Sequence, residues 1–301
     1  MEGNMETRIG FVGLGLMGSA MVSRLQDCNY QLTVLGNKDR TGLDQALARG
    51  ALEAASGVDL AKQSDVIMLC MGTSDQVEER ILGEQGIISG LSSGKIIIDF
   101  GTSLPSSTKE ISSKIADTGA VILDAPLGRT PHHAKDGLLN IMASGDKDAF
   151  DAVRTILENL GENVFYLGDL GTGHTIKLMN NFFGMTIANA MAEVFAVADA
   201  AGVSRETVYK VISAGPLHSS MMDFISAFGL EGDKSKLEFA IKNAFKDVSY
   251  YRLMTQNLGI NSIMSESASK ALSQANDVGY ANAMVCEMID FFKKHYSLDT
   301  M

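Results

Sequence analysis

A chain of 301 residues, 46% hydrophobic and 20% charged, is about twice the length of a common single domain, so two domains are expected. Its 36 acidic and 25 basic residues leave a formal charge of −11, which argues against a non-specific grip on nucleic acid or an anionic membrane. Cys28, Cys70 and Cys286 are far apart and lack CxxC or CxxH spacing, so neither a disulfide framework nor a zinc site is suggested. The opening residues carry charge and no apolar signal core, which makes the cytoplasm the expected compartment.

In chain order, short apolar runs at 8–12, 31–35, 66–70, 95–99, 121–124, 139–143 and 164–166 read as strands. Helical stretches lie between them at 19–26, 43–49, 76–82, 106–116 and 148–159. This alternation is the pattern of a doubly wound parallel sheet with crossover helices. After 168–171 it stops, and the remainder reads as helices punctuated by Gly202, Gly215-Pro216, Gly229, Gly232 and Gly259. The expected organisation is therefore an α/β domain over 1–170 and an all-α domain over 171–301. A long helix over 174–201, about 40 Å at ~1.5 Å per residue, would join them. Its apolar part is interrupted by Asn189, Glu193 and Asp199, which suits a core helix better than a membrane span.

Gly13-Leu14-Gly15-Leu16-Met17-Gly18 fits GxGxxG, follows the first strand and opens the first helix. In that context Gly13 permits the tight turn, Gly15 lets backbone approach a pyrophosphate, and Gly18 packs helix on strand. The 1–170 segment is thus expected to be a Rossmann domain that binds NAD or NADP. At the end of the second strand, where an NAD enzyme usually has an acid, this chain has Gly36. Asn37, Lys38 and Arg40 could cradle a 2′-phosphate, with Asp39 working against it, so NADP is slightly favoured. Met71 and Thr102 lie in loops at strand C-terminal ends, where a dinucleotide passes.

Residues 173–181, reading Gly-His-Thr-Ile-Lys-Leu-Met-Asn-Asn, place Lys177, Asn180 and Asn181 at positions i, i+3 and i+4 of one helix. An ammonium flanked by two amides can protonate a carbonyl oxygen in a reduction, or take the proton back in the reverse direction. Burial beside other cations would push such a lysine toward a lower pKa. The structural alternatives are a surface lysine and buried amides bonded to backbone. His132, His133, His174 and His218 have no carboxylate at a ligand spacing, so no metal is expected.

Together these segments resemble the β-hydroxyacid dehydrogenase family, which includes 3-hydroxyisobutyrate dehydrogenases and tartronate semialdehyde reductases. The resemblance covers nearly the whole chain and also takes in Phe245-Lys246-Asp247. It implies NAD(P)-linked oxidation of a β-hydroxyacid or reduction of its semialdehyde by a homodimer or homotetramer, with Lys177 as the acid/base. One motif departs. Where the family commonly reads Asp-Ala-Pro-Val-Ser-Gly-Gly, this chain has Asp124-Ala125-Pro126-Leu127-Gly128-Arg129-Thr130. An arginine brings a fixed fork of donors and a permanent charge, which suits a larger or stronger anion. The Gly-Arg-Thr segment resembles the branch containing 3-sulfolactaldehyde reductases. That resemblance implies a substrate site including Gly128, Arg129, Thr130, Asn180, Asn181 and Lys246. Arg129 pairing with Asp124 or Asp136 is the structural alternative. Carboxylate semialdehydes remain open as substrates, among them those linked to 3-hydroxyisobutyrate, tartronate and 4-hydroxybutyrate, and so does a nucleotide sensor without turnover.

Overall fold

The computed structural model describes residues 7–296, which form two compact units that divide between Lys177 and Leu178. In the first unit β1 (Ile9–Val12), β2 (Leu32–Leu35), β3 (Leu52–Ala54), β4 (Val66–Leu69), β5 (Ile96–Asp99) and β6 (Val121–Asp124) make one parallel sheet in the order β3-β2-β1-β4-β5-β6. β1, β2, β4 and β5 are buried at every residue, because helices cover both faces of the sheet. The helices are α1 (Leu16–Asp27), α2 (Thr41–Ala48), α3 (Gly57–Gln63), α4 (Ser74–Leu82) and α5 (Pro105–Ile115). Three of them start on a local signal: Ser56 and Thr73 accept the backbone N–H of Asp59 and Gln76, and Pro105 sits in the first turn of α5.

Sequence periodicity misses β3, a three-residue edge strand with two exposed residues, and the short helix α3 behind it. It also places 139–143 and 164–166 in the main sheet, and this is corrected. β7 (Leu127–Gly128), β8 (Leu139–Ala143) and β9 (Gly161–Tyr166) form a second sheet, with α6 (Pro131–Lys135) and α7 (Lys147–Leu160) in the connections. β8 runs antiparallel to β7 and parallel to β9. After β6 the chain leaves the main sheet at Pro126, which has no N–H to continue a ladder, and a single bridge from Asp124 to Ser144 ties the two sheets.

The helix α8 (Thr172–Ala200) runs from the first unit into the second, which continues with α9 (Arg205–Ser213), α10 (Ser220–Glu231), α11 (Ile241–Asn257), α12 (Ile263–Ala275) and α13 (Met288–His295). Phe195, Ile225, Ile241, Val248, Leu272 and Ile289 are in its core. By length and composition α8 could cross a membrane, but its polar interruptions have protein partners. Asp199 pairs with Arg205 at 2.6 Å, Glu193 accepts from the Tyr296 hydroxyl, and Asn189 donates to the Ala268 carbonyl at 3.5 Å.

Candidate active site

The glycine turn is built as its spacing requires. Gly13 has φ +96°, and a Cβ there would stand 2.2 Å from the Cys70 carbonyl oxygen, so no other residue fits. A Cβ on Gly18 would stand 1.8 Å from the Gly13 carbonyl oxygen, which explains the close approach of α1 to the turn. Gly15 is different: nothing lies within 4 Å of the position its Cβ would take. It caps α1 with no side-chain hydrogen bond, leaving the N–H groups of the first turn directed outward. Leu14 and Met17 are half-buried while Leu16 is 87% exposed, so an apolar side chain flanks this open helix start. An open cradle ahead of an uncapped helix N-terminus fits a pyrophosphate.

At the C-terminal end of β2, Leu35, Gly36, Asn37 and Arg40 line a cleft of 490 Å³ together with Glu53, Ala54 and Ala55. Asn37 and Lys38 are exposed, while Asp39 turns back to accept the Thr41 N–H at 2.9 Å. Arg40 is not free-standing: its guanidinium makes two bonds to Glu53, at 2.9 and 3.1 Å, and lies 3.4 Å from Asp44. The Arg40 guanidinium holds the Glu53 carboxyl below its ordinary range. An acid is therefore present beside Gly36, with Glu53 Oε1 3.4 Å from the place of a Gly36 Cβ, but β3 supplies it. The sequence reading missed Glu53 because a three-residue strand carries too little periodicity to be seen.

Met71 and Thr102 are half-buried in loops after β4 and β5. The loop holding Thr102 is shaped by Asp99, which accepts from the Gly101 N–H and the Ser103 hydroxyl, each at 2.8 Å.

The start of α8 is held by Asp124. Its carboxylate accepts from Gly171 N at 2.8 Å, His174 N at 2.7 Å and the Ser144 hydroxyl at 2.5 Å, and Ser144 Oγ in turn accepts from Gly173 N at 2.9 Å. Three helix-entry N–H groups are thereby satisfied inside the protein. Gly173 leaves room for this clamp, since a Cβ there would fall 2.2 Å from the Met142 carbonyl oxygen. Lys177 follows three residues after His174 and is half-buried.

Further along α8, Asn180 is exposed and donates to Asn181 Oδ1 at 3.1 Å. Asn181 donates to Asp247 Oδ2 at 2.6 Å, and Lys246 pairs with Asp247 Oδ1 at 2.9 Å. Asp247 is 3% exposed and can only accept, which fixes the Asn181 amide with its NH₂ toward the acid and its oxygen toward Asn180. Asp247 is thus a second residue the site reading left out, although it adjoins Lys246.

Gly128 and Arg129 follow β6 on the second sheet, and Arg129 has φ +77°, in the left-handed region. It stands where the family pattern has glycine, so the chain keeps a glycine conformation under a long cationic side chain. Such a residue costs about 1–3 kcal/mol and persists where its surroundings hold it. Here Arg129 Nη1 donates to the Leu138 carbonyl at 2.7 Å and to Glu162 at 2.5 Å; its ion-pair partner is Glu162 rather than Asp124 or Asp136. Thr130 Oγ1 lies 2.8 Å from His133 Nδ1. Contrary to the spacing argument, carboxylates do stand beside three of the other histidines: His132 is 3.1 Å from Asp136, His218 2.8 Å from Asp223, and His174 3.6 Å from Asp99 and 3.9 Å from Asp124. No group of three or more metal-ligating side chains occurs among the described residues.

The strand order and the glycine turn define the class: a chain with a dinucleotide-binding Rossmann sheet followed by a helical second unit. Residues 8–168 match the family described as the NAD binding domain of 6-phosphogluconate dehydrogenase, and residues 171–292 match the NAD-binding family of NADP-dependent 3-hydroxyisobutyrate dehydrogenase. The chain is 32% identical over 244 residues to an uncharacterized oxidoreductase, YkwC, of Bacillus subtilis (strain 168), covering 81% of this chain and 84% of that one. It is 30% identical over 218 residues to the 2-hydroxy-3-oxopropionate reductase of Escherichia coli (strain K12), covering 72% and 73%. A 3-hydroxyisobutyrate dehydrogenase structure from Salmonella typhimurium superposes with a TM-score of 0.82 at 22% identity, over 95% of this chain and all of that one, and shows the fold. This chain belongs to the β-hydroxyacid dehydrogenase family of NAD(P)-dependent enzymes.

Proposed function

We propose that this protein interconverts a small anionic semialdehyde and its hydroxyacid, with Lys177 giving a proton to the carbonyl oxygen in reduction and taking it back in oxidation. The observation that supports this most is the arrangement on α8, where Lys177 is followed at i+3 and i+4 by Asn180 and Asn181 and the second amide is oriented by Asp247. The nicotinamide cofactor, when bound, exchanges hydride with the carbonyl carbon. Gly13, Leu14, Gly15, Leu16, Met17 and Gly18 would hold its pyrophosphate end, with Asn37 and Lys38 at the adenosine ribose and Met71 and Thr102 along its length. Substrate contacts are assigned to Gly128, Arg129, Thr130, Asn180, Asn181 and Lys246. Initial rates with NADPH and NADH against sulfolactaldehyde and the succinic, tartronic and methylmalonic semialdehydes test the reading. Absence of turnover with all of them, despite cofactor binding, would favour a nucleotide sensor.

A sulfonate, as in sulfolactaldehyde, is the anion proposed, because an arginine retained at a left-handed backbone position calls for a function. A carboxylate is the second reading, favoured by the bond from Arg129 Nη1 to Glu162, which offsets the guanidinium charge. Arg129→Gly tests the role of the arginine. It relieves the backbone, so the melting temperature is expected to hold or rise. A sulfonate substrate's KM is expected to rise at least about tenfold, the loss of one charge-assisted hydrogen bond. An unchanged KM would remove Arg129 from the substrate site.

NADPH is proposed as the preferred cofactor by a modest margin, with Glu53 setting that margin. Glu53→Gln weakens the hold on Arg40 and removes an acid from the ribose cleft, so the ratio of kcat/KM for NADPH over NADH should rise several-fold, on the order of a charge-assisted hydrogen bond. A constant ratio would place Arg40 and Glu53 outside cofactor recognition. The assembly proposed is a homodimer or homotetramer; Leu217 and Ile263, exposed by 74% and 79% on the second unit, support it, and light scattering measures it.

A further inference from the structure

His174 is wholly buried in the first unit. Asp99 and Asp124 are register partners on β5 and β6, so two buried carboxylates stand side by side at the C-terminal end of the sheet. Like charges so placed repel unless donors serve them. Asp99 serves the loop with Thr102, and Asp124 serves the start of α8. The imidazole lies against both, with Nε2 3.6 Å from Asp99 Oδ2 and Nδ1 3.9 Å from Asp124 Oδ2.

The ring's hydrogen-bonding atoms are unequal. Nδ1 is 2.9 Å from the Thr108 hydroxyl on α5, which also reaches the Leu104 carbonyl at 3.3 Å. Nε2 has no hydrogen-bond partner, and a buried polar atom left so is costly. If Thr108 donates to Nδ1, the neutral ring carries its hydrogen on Nε2, facing Asp99. If Thr108 donates to Leu104 instead, it accepts from Nδ1–H, and a bare Nε2 would then set a lone pair against a carboxylate. A hydrogen on Nε2 suits Asp99, and the neutral ring carries it there when Thr108 donates to Nδ1. Burial and Asp99 together push the Cys70 thiol up to about 12, so it adds no charge beside Asp99.

We propose that His174 is a positioning residue whose Nε2–H holds Asp99 through a 3.6 Å electrostatic contact rather than a hydrogen bond, coupling the loop that carries Thr102 to the start of the helix that carries Lys177. The activity arm of its test rests on the proposed role of Lys177; the structural arm does not.

The test compares three variants of the full chain. His174→Gln places an amide near the position of Nε2, His174→Asn places one near Nδ1, and His174→Phe keeps the ring without either nitrogen. In the cofactor-free protein, hydrogen exchange at residues 100–104 and 171–175 should quicken at least about tenfold in His174→Asn and His174→Phe, and much less in His174→Gln. With cofactor and substrate, kcat should follow the same order, falling about tenfold in His174→Asn while the substrate KM stays within about threefold. A purely space-filling role predicts that His174→Phe retains both protection and kcat, and that result would overturn the proposal. Equal behaviour of His174→Gln and His174→Asn would overturn it too. Quickened exchange with unchanged kcat would keep the tether but detach it from Lys177, and wild-type protein without turnover would count against the proposed function alone.

Discussion

Lys177→Ala is expected to lower turnover by about 10²–10⁴-fold, the range that a positioned acid or base contributes. The side chain is half-buried on the outgoing turn of α8, so its truncation removes no large core volume and opens no cavity. Cofactor affinity should therefore be unchanged, and the melting temperature should move little. Lys177→Arg sharpens the result, because a guanidinium keeps the charge but does not give up its proton in proteins. Substrate binding should survive that change better than turnover does in either direction. Stopped-flow reduction and oxidation, with cofactor binding followed by nicotinamide fluorescence, separate these quantities. Turnover within threefold of wild type in the alanine variant would take the proton transfer away from Lys177.

Asp124→Ala should cause the largest loss of stability, about 3–5 kcal/mol. It strands the N–H groups of Gly171 and His174 and the Ser144 hydroxyl in a wholly buried place, and each unmade bond costs about 1–3 kcal/mol. For a unit of this size such a change lowers Tm by on the order of 10 °C. Asp124→Asn should do about half that damage. Its amide offers one accepting oxygen, and its NH₂ must then face a donor that the carboxylate had served. Ser144→Ala should cost about 1–2 kcal/mol, since it strands mainly Gly173 N. Thermal unfolding of the three variants gives the ranking, and a Tm for Asp124→Ala within 2–3 °C of wild type would show that water reaches the helix start.

The residues that make local elements were legible one stretch at a time. Gly13 and Gly18 announce a turn that no other residue can enter, and the turn sits between an apolar strand and a helix, so its reading needed no distant contact. The long apolar segment ending at Ala200 was legible as a helix for the same reason, although its polar residues 189, 193 and 199 acquire partners from α12, residue 296, α9 and α13. By contrast, 139–143 reads as a strand but not as a member of a second sheet, because strand pairing is decided by a break at Pro126 and a bridge between Asp124 and Ser144.

The candidate site divides in the same way. Lys177, Asn180 and Asn181 share a helix face by spacing alone, and the sequence by itself determined that row, the glycine turn and the family they resemble. Only tertiary structure decided what each side chain faces: Glu53 on Arg40, Glu162 on Arg129, Asp247 on Asn181, and Asp99 and Asp124 about His174. Periodicity records which side of an element is buried, whereas the partner of a charge comes from another part of the chain, and its identity is set when those parts are packed together.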